Sequence, residues 1–170
     1  MVRSHRNSGR KYCVVVRAED LDETFPIVPI DSDALEAARL IAEHNLPGLL
    51  VTDTSGRPYA VLPAVEILRF ILPRYVRDDL ALAGVLGESA ADQAAQNLAG
   101  KTVADVLSAD LRKNIRSVDA HDTVIKVAAE MAQLRSPLIA VMKNGSLHGV
   151  ITASRLLAAA LNEQSAPRTA

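Results

Sequence analysis

Two stretches of the chain carry one pattern. "HGVITASRLLAAAL", from His148 to Leu161, is a short apolar strand, a polar turn and a helix, and "YAVLPAVEILRFIL", from Tyr59 to Leu72, repeats that order. The likeness extends upstream. "DSDALEAARLIAEHNLPGLLVTDTSGRP" is answered by "DAHDTVIKVAAEMAQLRSPLIAVMKNGSL". Pro47 recurs as Pro137, a shift of 90, and Pro63 stands where Thr152 stands, a shift of 89, so the second hairpin is one residue shorter. A duplicated unit of this size buries its apolar face against its twin.

Each copy can be read from its periodicity. In the first, Ile27 to Ile30 is extended and punctuated by Pro26 and Pro29. Ser32 or Asp33 caps a helix whose Leu35, Ala38, Ile41 and Ala42 fall on one face, and that helix ends before Pro47. "LLVTD" is a buried strand, "TSGR" turns it and "YAVL" returns antiparallel. Pro63 opens a second helix at the first helical position, where its missing N–H costs little. In the second copy, Ile115 to Val118 leads to a helix with Val124, Val127, Ala128 and Met131 on one face. Pro137 stops it, Asn144-Gly145 turns the hairpin between "LIAV" and "GVI", and Thr152 to Ser154 start the last helix. The lead-ins correspond too, as "RAEDL" and "TVADVL". The expected fold is α/β: two intertwined βαββα repeats related by a pseudo-twofold axis, with a helical linker between them. The expected limits are a tail and strand over 1–16, repeat one over 17–75, an Ala-rich helical linker over 76–100, repeat two over 101–161 and a tail over 162–170.

Composition narrows the function. Apolar residues are 49% of the 170 and aromatics only 3%, so the core is aliphatic and there are few rings on which to stack bases. The formal net charge of -1 gives no general pull toward nucleic acid or an anionic membrane. No apolar run reaches the ~18 residues of a membrane helix. Cys13 is the single cysteine, in the apolar run "KYCVVV", and reads as a buried thiol in a strand; with no internal disulfide possible, a reducing, cytoplasmic setting is expected. The basic start, with Arg3, Arg6, Arg10 and Lys11, reads as a solvated tail, with a phosphate-binding arm as the sharper alternative. The four histidines are scattered, and no HExxH, GxSxG, GxGxxG or phosphate-loop motif occurs. "EDLDE" lacks the spacing of a calcium loop. The chain is not expected to be an enzyme.

The ordered set "TVADVL", "DTVIKVAAEMAQLRSPLIAV", the Asn-Gly hairpin and "GVITASRLL", matched in the first copy by "DALEAARLIAEHNLPGLLVTD", "SGRPYAVL" and "EILRFIL", resembles a stand-alone tandem pair of cystathionine-β-synthase (CBS) domains, a Bateman module. The resemblance implies a sensor that binds an adenosine-containing ligand, such as AMP, ADP, ATP or S-adenosylmethionine, in a cleft between repeats and modulates a regulated partner protein. It also implies a homodimer assembled through helices. The alternative is a structural dimerisation module whose clefts are degenerate and empty. The family motif at the strand-to-helix turn is Gly, two apolar residues, Ser or Thr, two residues, then Asp; the hydroxyl holds phosphate or ribose and the Asp accepts from the ribose hydroxyls.

Neither copy completes that motif. In "GVITASR" Gly149 and Thr152 match, but Arg155 stands in place of the Asp. In "AVLPAVE" Pro63 replaces the hydroxyl residue and Glu66 replaces the Asp. Thr152 either caps its helix alone or also meets a ligand. Arg155 is a pure donor, suited to phosphate and not to ribose, or else an exposed helix residue. Glu66 is a ribose acceptor or a solvated helix glutamate. Lys113 and Arg116, ahead of the second copy, fall where the family's pocket gathers contacts to base and phosphate, or on a charged linker face. Unequal use of the two clefts follows from these differences.

Overall fold

Asp33 starts the first helix: its carboxylate accepts from the Glu36 N–H at 2.9 Å and caps α1, Ala34–Glu43. Thr123 does the same for Lys126 N–H at 3.4 Å at the start of the corresponding helix, Val124–Leu134. A residue in the left-handed region follows each helix, Asn45 (φ 51°) just past the His44 cap and Arg135 (φ 49°) as the cap itself, and turns the chain back toward a strand. In this computed structural model, which describes residues 16–73, 77–78, 95–113 and 117–163, each copy builds one three-stranded sheet. In the first, β1 (Ile27–Pro29) runs parallel to β2 (Gly48–Thr52), which pairs antiparallel with β3 (Pro58–Pro63); α2 (Ala64–Ile71) follows without a break. After the short helices α3 (Val103–Val106) and α4 (Ala109–Lys113), the second copy repeats the order with β4 (Ser117–Asp119), α5 (Val124–Leu134), β5 (Leu138–Lys143), β6 (Ser146–Thr152) and α6 (Ala153–Glu163). Even the irregularity in the hairpin is duplicated, at Val51/Thr52 and at Val141/Met142.

The copies are joined by exchange. Arg17 to Asp22, the lead-in of the first, packs on the core of the second, where Ala18 and Leu21 are buried with Val118, Ala120, Val127, Met131 and Ile151. Thr102 to Leu107, the lead-in of the second, packs on the core of the first, where Val103, Val106 and Leu107 are buried with Ala34, Ile41, Leu49 and Leu62. The backbone bonds match pair by pair. Ala18 N–H donates to Asp122 O and Val103 N–H to Ser32 O, both at 2.9 Å; Glu19 N–H donates to Ala120 O at 3.0 Å and Ala104 N–H to Ile30 O at 2.9 Å. Asp20 and Asp105 close the same local turn, accepting from Arg17 N–H at 2.8 Å and Thr102 N–H at 2.9 Å. A third cluster lies between the sheets: Leu50, Leu138, Ala140 and Val150, with Phe25, Val61 and Leu147 against them. Leu50 and Ala140 hold equivalent positions, as do Val61 and Val150, so the pseudo-twofold axis passes through this cluster.

Two sequence expectations shift. The buried stripe of α1 is Ala34, Ala37 and Ile41, while Ala42 is exposed, because the sheet approaches from the Ala34–Ala37 side. Pro63 occupies the N-cap, one position ahead of the first helical residue, because it also closes β3 opposite Gly48. Gly48 is required there: a Cβ would lie 2.6 Å from Leu62 O. Asn144 and Gly145 both have positive φ, 52° and 78°, as a two-residue hairpin of the favoured twist needs. Cys13, the N-terminal arm, most of the 76–100 linker and residues 164–170 lie outside the described residues.

Two measurements follow. Leu107→Ala should cost about 2–4 kcal/mol, because the leucine is 3% exposed and seals the other copy's core; a urea midpoint unchanged from the parent would refute the exchange. Arg135→Asn copies the first repeat's own solution at Asn45 and should stabilise by about 0.5–1 kcal/mol, read as a higher midpoint at constant slope.

Candidate functional site

Each repeat ends in a turn where a strand passes directly into a helix. The first helical N–H is already bonded in both: Ala64 donates to Pro47 O at 3.1 Å and Ala153 to Pro137 O at 2.9 Å. From there the two turns part. At the second, Thr152 is buried at 5% exposure. Its hydroxyl accepts from Arg155 N–H at 3.3 Å and donates to Glu23 Oε1 at 2.8 Å, with Ser154 Oγ 3.2 Å away. The hydroxyl therefore caps α6 and also reaches a carboxylate from the other repeat. The Arg155 side chain is exposed, and no carboxylate among the described residues pairs with it. At the first turn, Pro63 makes no side-chain cap and has no N–H to give. Glu66 is buried, not solvated, and its carboxylate takes Arg69 Nη1 at 3.3 Å.

Glu23 is the residue that motif reading missed. It lies past the lead-in of repeat one and is held on β6 by two backbone bonds with Val150, at 2.9 and 3.4 Å. The corresponding segment after the second lead-in turns into α4 from Ser108, so no equivalent bridge forms at β3. The acidic run "EDLDE", which lacks the spacing of a calcium loop, is the signal in the sequence. The structure turns it into a seam between the repeats. Glu19 accepts from Lys143 Nζ at 2.7 Å and lies 3.2 Å from His121 Nδ1; Asp22 lies 3.6 Å from His148 Nε2. Gly149 passes beneath Asp22, and a Cβ on it would run into that carboxylate, which explains the glycine physically. Across the pseudo-twofold axis the equivalents of Glu19, Asp22 and Glu23 are Ala104, Leu107 and Ser108, so the mirror seam is largely apolar. The Lys143 ammonium, hydrogen-bonded to Glu19, holds that carboxyl below its ordinary value of 4.5, with His121 adding to the effect, and Lys143 is raised in turn.

Two sequence candidates remain. Lys113 ends α4. Arg116 lies outside the described residues. The described residues hold no group of three or more His, Cys, Asp or Glu that could bind a metal ion, and no helix among them is long and apolar enough to cross a membrane.

Comparison with known proteins agrees with this architecture. The model for the CBS domain matches twice, at residues 18–73 and 103–162, together more than half of the chain. A CBS domain-containing protein of unknown function from Kribbella flavida is 49% identical, with a TM-score of 0.76 over 86% of this chain and 99% of its own. The protein CBSX2, solved in complex with AMP, is 16% identical with a TM-score of 0.61, over 87% of this chain and 98% of its own. The CBS domain pair of MJ0100, solved with 5′-methylthioadenosine and S-adenosyl-L-methionine, is 18% identical with a TM-score of 0.60, over 89% and 99%. No curated protein sequence matched the chain.

The acidic seam has a pH signature. A carboxyl lowered by folding contributes stability that is complete above its unfolded value and is lost as pH falls through the folded one. Removing the main partner of Glu19 with Lys143→Met should therefore flatten the loss of stability between about pH 5 and 3, measured as urea midpoints. An unchanged slope in that window would show that the Glu19–Lys143 pair contributes nothing there.

Proposed function

The chain belongs to the CBS-domain family, as a tandem pair of repeats, and on that footing we propose that it is a regulatory module that binds an adenosine-containing ligand at the Thr152 turn and passes its occupancy to a partner protein. The observation that carries the reading is the junction of Thr152, Glu23 and Arg155. A buried hydroxyl and a carboxylate meet where lead-in, strand and helix converge, and Arg155, whose backbone N–H donates to that hydroxyl, carries an exposed side chain on the same turn. Glu23 supplies at this turn the carboxylate that the motif lacks at Arg155. The Pro63 turn offers less: no hydroxyl, no N–H, and a Glu66 carboxylate already engaged by Arg69. Unequal use of the two clefts thus has a structural rationale. Members of the family solved with AMP and with S-adenosyl-L-methionine support the ligand class. CBS pairs act generally as regulators, and no catalytic constellation is proposed. A cytoplasmic setting is in keeping with the single cysteine.

We also propose a homodimer formed by α2 and α6. Leu68 on α2 and Leu72 at its C-cap are exposed, and so are their repeat equivalents on α6, Leu157 and Leu161. Equivalent leucines are thus exposed in both repeats, and a twofold partner can match one apolar surface with the other. The second reading, a dimerisation module with empty clefts, rests on this surface alone.

Two experiments test these proposals. A saturating adenosyl ligand at about 100 times its dissociation constant should add about 2.7 kcal/mol and raise the melting temperature by roughly 5–10 °C. Arg155→Ala should weaken that ligand about tenfold or more at little cost to the unliganded protein. If AMP, ADP, ATP and S-adenosylmethionine at millimolar concentration all leave the melting temperature unmoved, the empty module is correct. Sedimentation should give about twice the chain's 18.2 kDa, and the double variant Leu68→Asp, Leu157→Asp should give the monomer; a monomeric parent would end the dimer proposal.

A further inference from the structure

The start of α6 resembles a place for phosphate, but its capping hydroxyl and two of its first three N–H donors are committed. Helix N-termini bind anions through free N–H groups and a positive dipole end. Here Ala153 N–H donates to Pro137 O, Arg155 N–H to the Thr152 hydroxyl, and the Thr152 hydroxyl to Glu23. The acceptor at the end of that chain is a half-buried carboxylate with no cationic partner among the described residues. Its acidic neighbours engage the basic groups nearby. Asp22 lies over Gly149 on the same strand, and Glu19 is one turn back in the lead-in. Lys143 is bound to Glu19, and His148 lies 3.6 Å from Asp22. A phosphate reaching the Thr152 hydroxyl would stand within one hydrogen-bond length of an oxygen already 2.8 Å from Glu23, and like charges at that spacing repel strongly in a partly desolvated site.

From this geometry, and resting on the cleft reading just proposed, we infer that the Thr152 turn selects adenosine derivatives whose 5′ substituent is neutral or cationic and rejects a 5′-phosphate, with Glu23 as the residue that sets the choice. The unpaired charges fit a zwitterionic tail. An ammonium or sulfonium centre sits against Glu23, and a tail carboxylate reaches the exposed Arg155 guanidinium, which is free to fork onto it. No such selection operates at the Pro63 turn, where Ser108 takes the place of Glu23.

Isothermal titration of the full chain at neutral pH, with 5′-methylthioadenosine, S-adenosylmethionine, adenosine and AMP, tests this. The phosphate-free ligands should bind at least tenfold more tightly than AMP. Glu23→Gln keeps an acceptor for the Thr152 hydroxyl while removing the charge, so it should tighten AMP about tenfold and weaken S-adenosylmethionine, closing the gap. AMP binding as tightly as the others in the parent, or a gap that Glu23→Gln leaves unmoved, overturns the inference while the cleft reading stands. Failure of all four ligands to bind takes down both. If the variant does not fold, the ranking in the parent chain decides by itself.

Discussion

Everything in the molecule hangs on the crossed attachment of the two lead-ins. Each repeat arrives at its sheet with one side of its core open, and the segment that closes it belongs to the other repeat. Ala18 and Leu21 close one side; Val103, Val106 and Leu107 close the other. Burying a valine or leucine is worth about 1.5–3 kcal/mol, so neither repeat keeps its core covered when the exchange is broken. The backbone bonds that fasten the lead-ins fall in symmetric pairs, which fixes their register as firmly as sheet pairing would. Glu23 owes its place on β6 to this attachment: a carboxylate from one half is carried to the turn of the other as a by-product of closing the core.

The backbone is symmetric; the side chains are not. One seam joins Glu19, Asp22 and Glu23 to Lys143, His121, His148 and Thr152, while its counterpart is built on Ala104, Leu107 and Ser108. Packing demands are the same on both sides, since Ala18 and Val103 are each fully buried. The neighbours of those anchors are half-buried, apart from the enclosed Leu107, and they are the residues that are charged on one side and apolar or small on the other. Duplication preserved what the core needs and left the cleft chemistry open to change.

The fold was legible in the sequence because its signals are local and appear twice. Proline positions, the Asn144-Gly145 turn and the helix faces agree at a constant shift, so ambiguity in one copy is settled by the other. The errors were local too: Ala42 satisfies the helical period yet faces outward, since periodicity finds a stripe but not which edge of it the sheet covers. The site was legible only in part. Thr152 and Arg155 lie in one motif, so spacing alone singles them out as candidates, together with the absence of the Asp. Glu23 could not be found that way, being 129 positions from its hydrogen-bond partner in sequence. Nor does spacing say that Glu66 is buried beside Arg69, because burial at the first turn of α2 depends on elements elsewhere in the chain.

The exchange of lead-ins also bears on how such a chain arises. A half-length chain with one repeat would have its lead-in and its core gap in the wrong places for each other, and could close only by trading lead-ins with a second molecule. Its folding would then depend on protein concentration. Joining two such halves end to end turns that encounter into an intramolecular one, with an effective concentration of the order of millimolar for a short flexible connection. The joined chain no longer needs two identical surfaces to assemble, so a charge placed in one seam is not automatically repeated in the other. On this account, a seam with Glu23 bonded to Thr152 across from one whose equivalent residues are Ser108 and Pro63 is an arrangement available to a fused pair and closed to its symmetric dimeric forerunner.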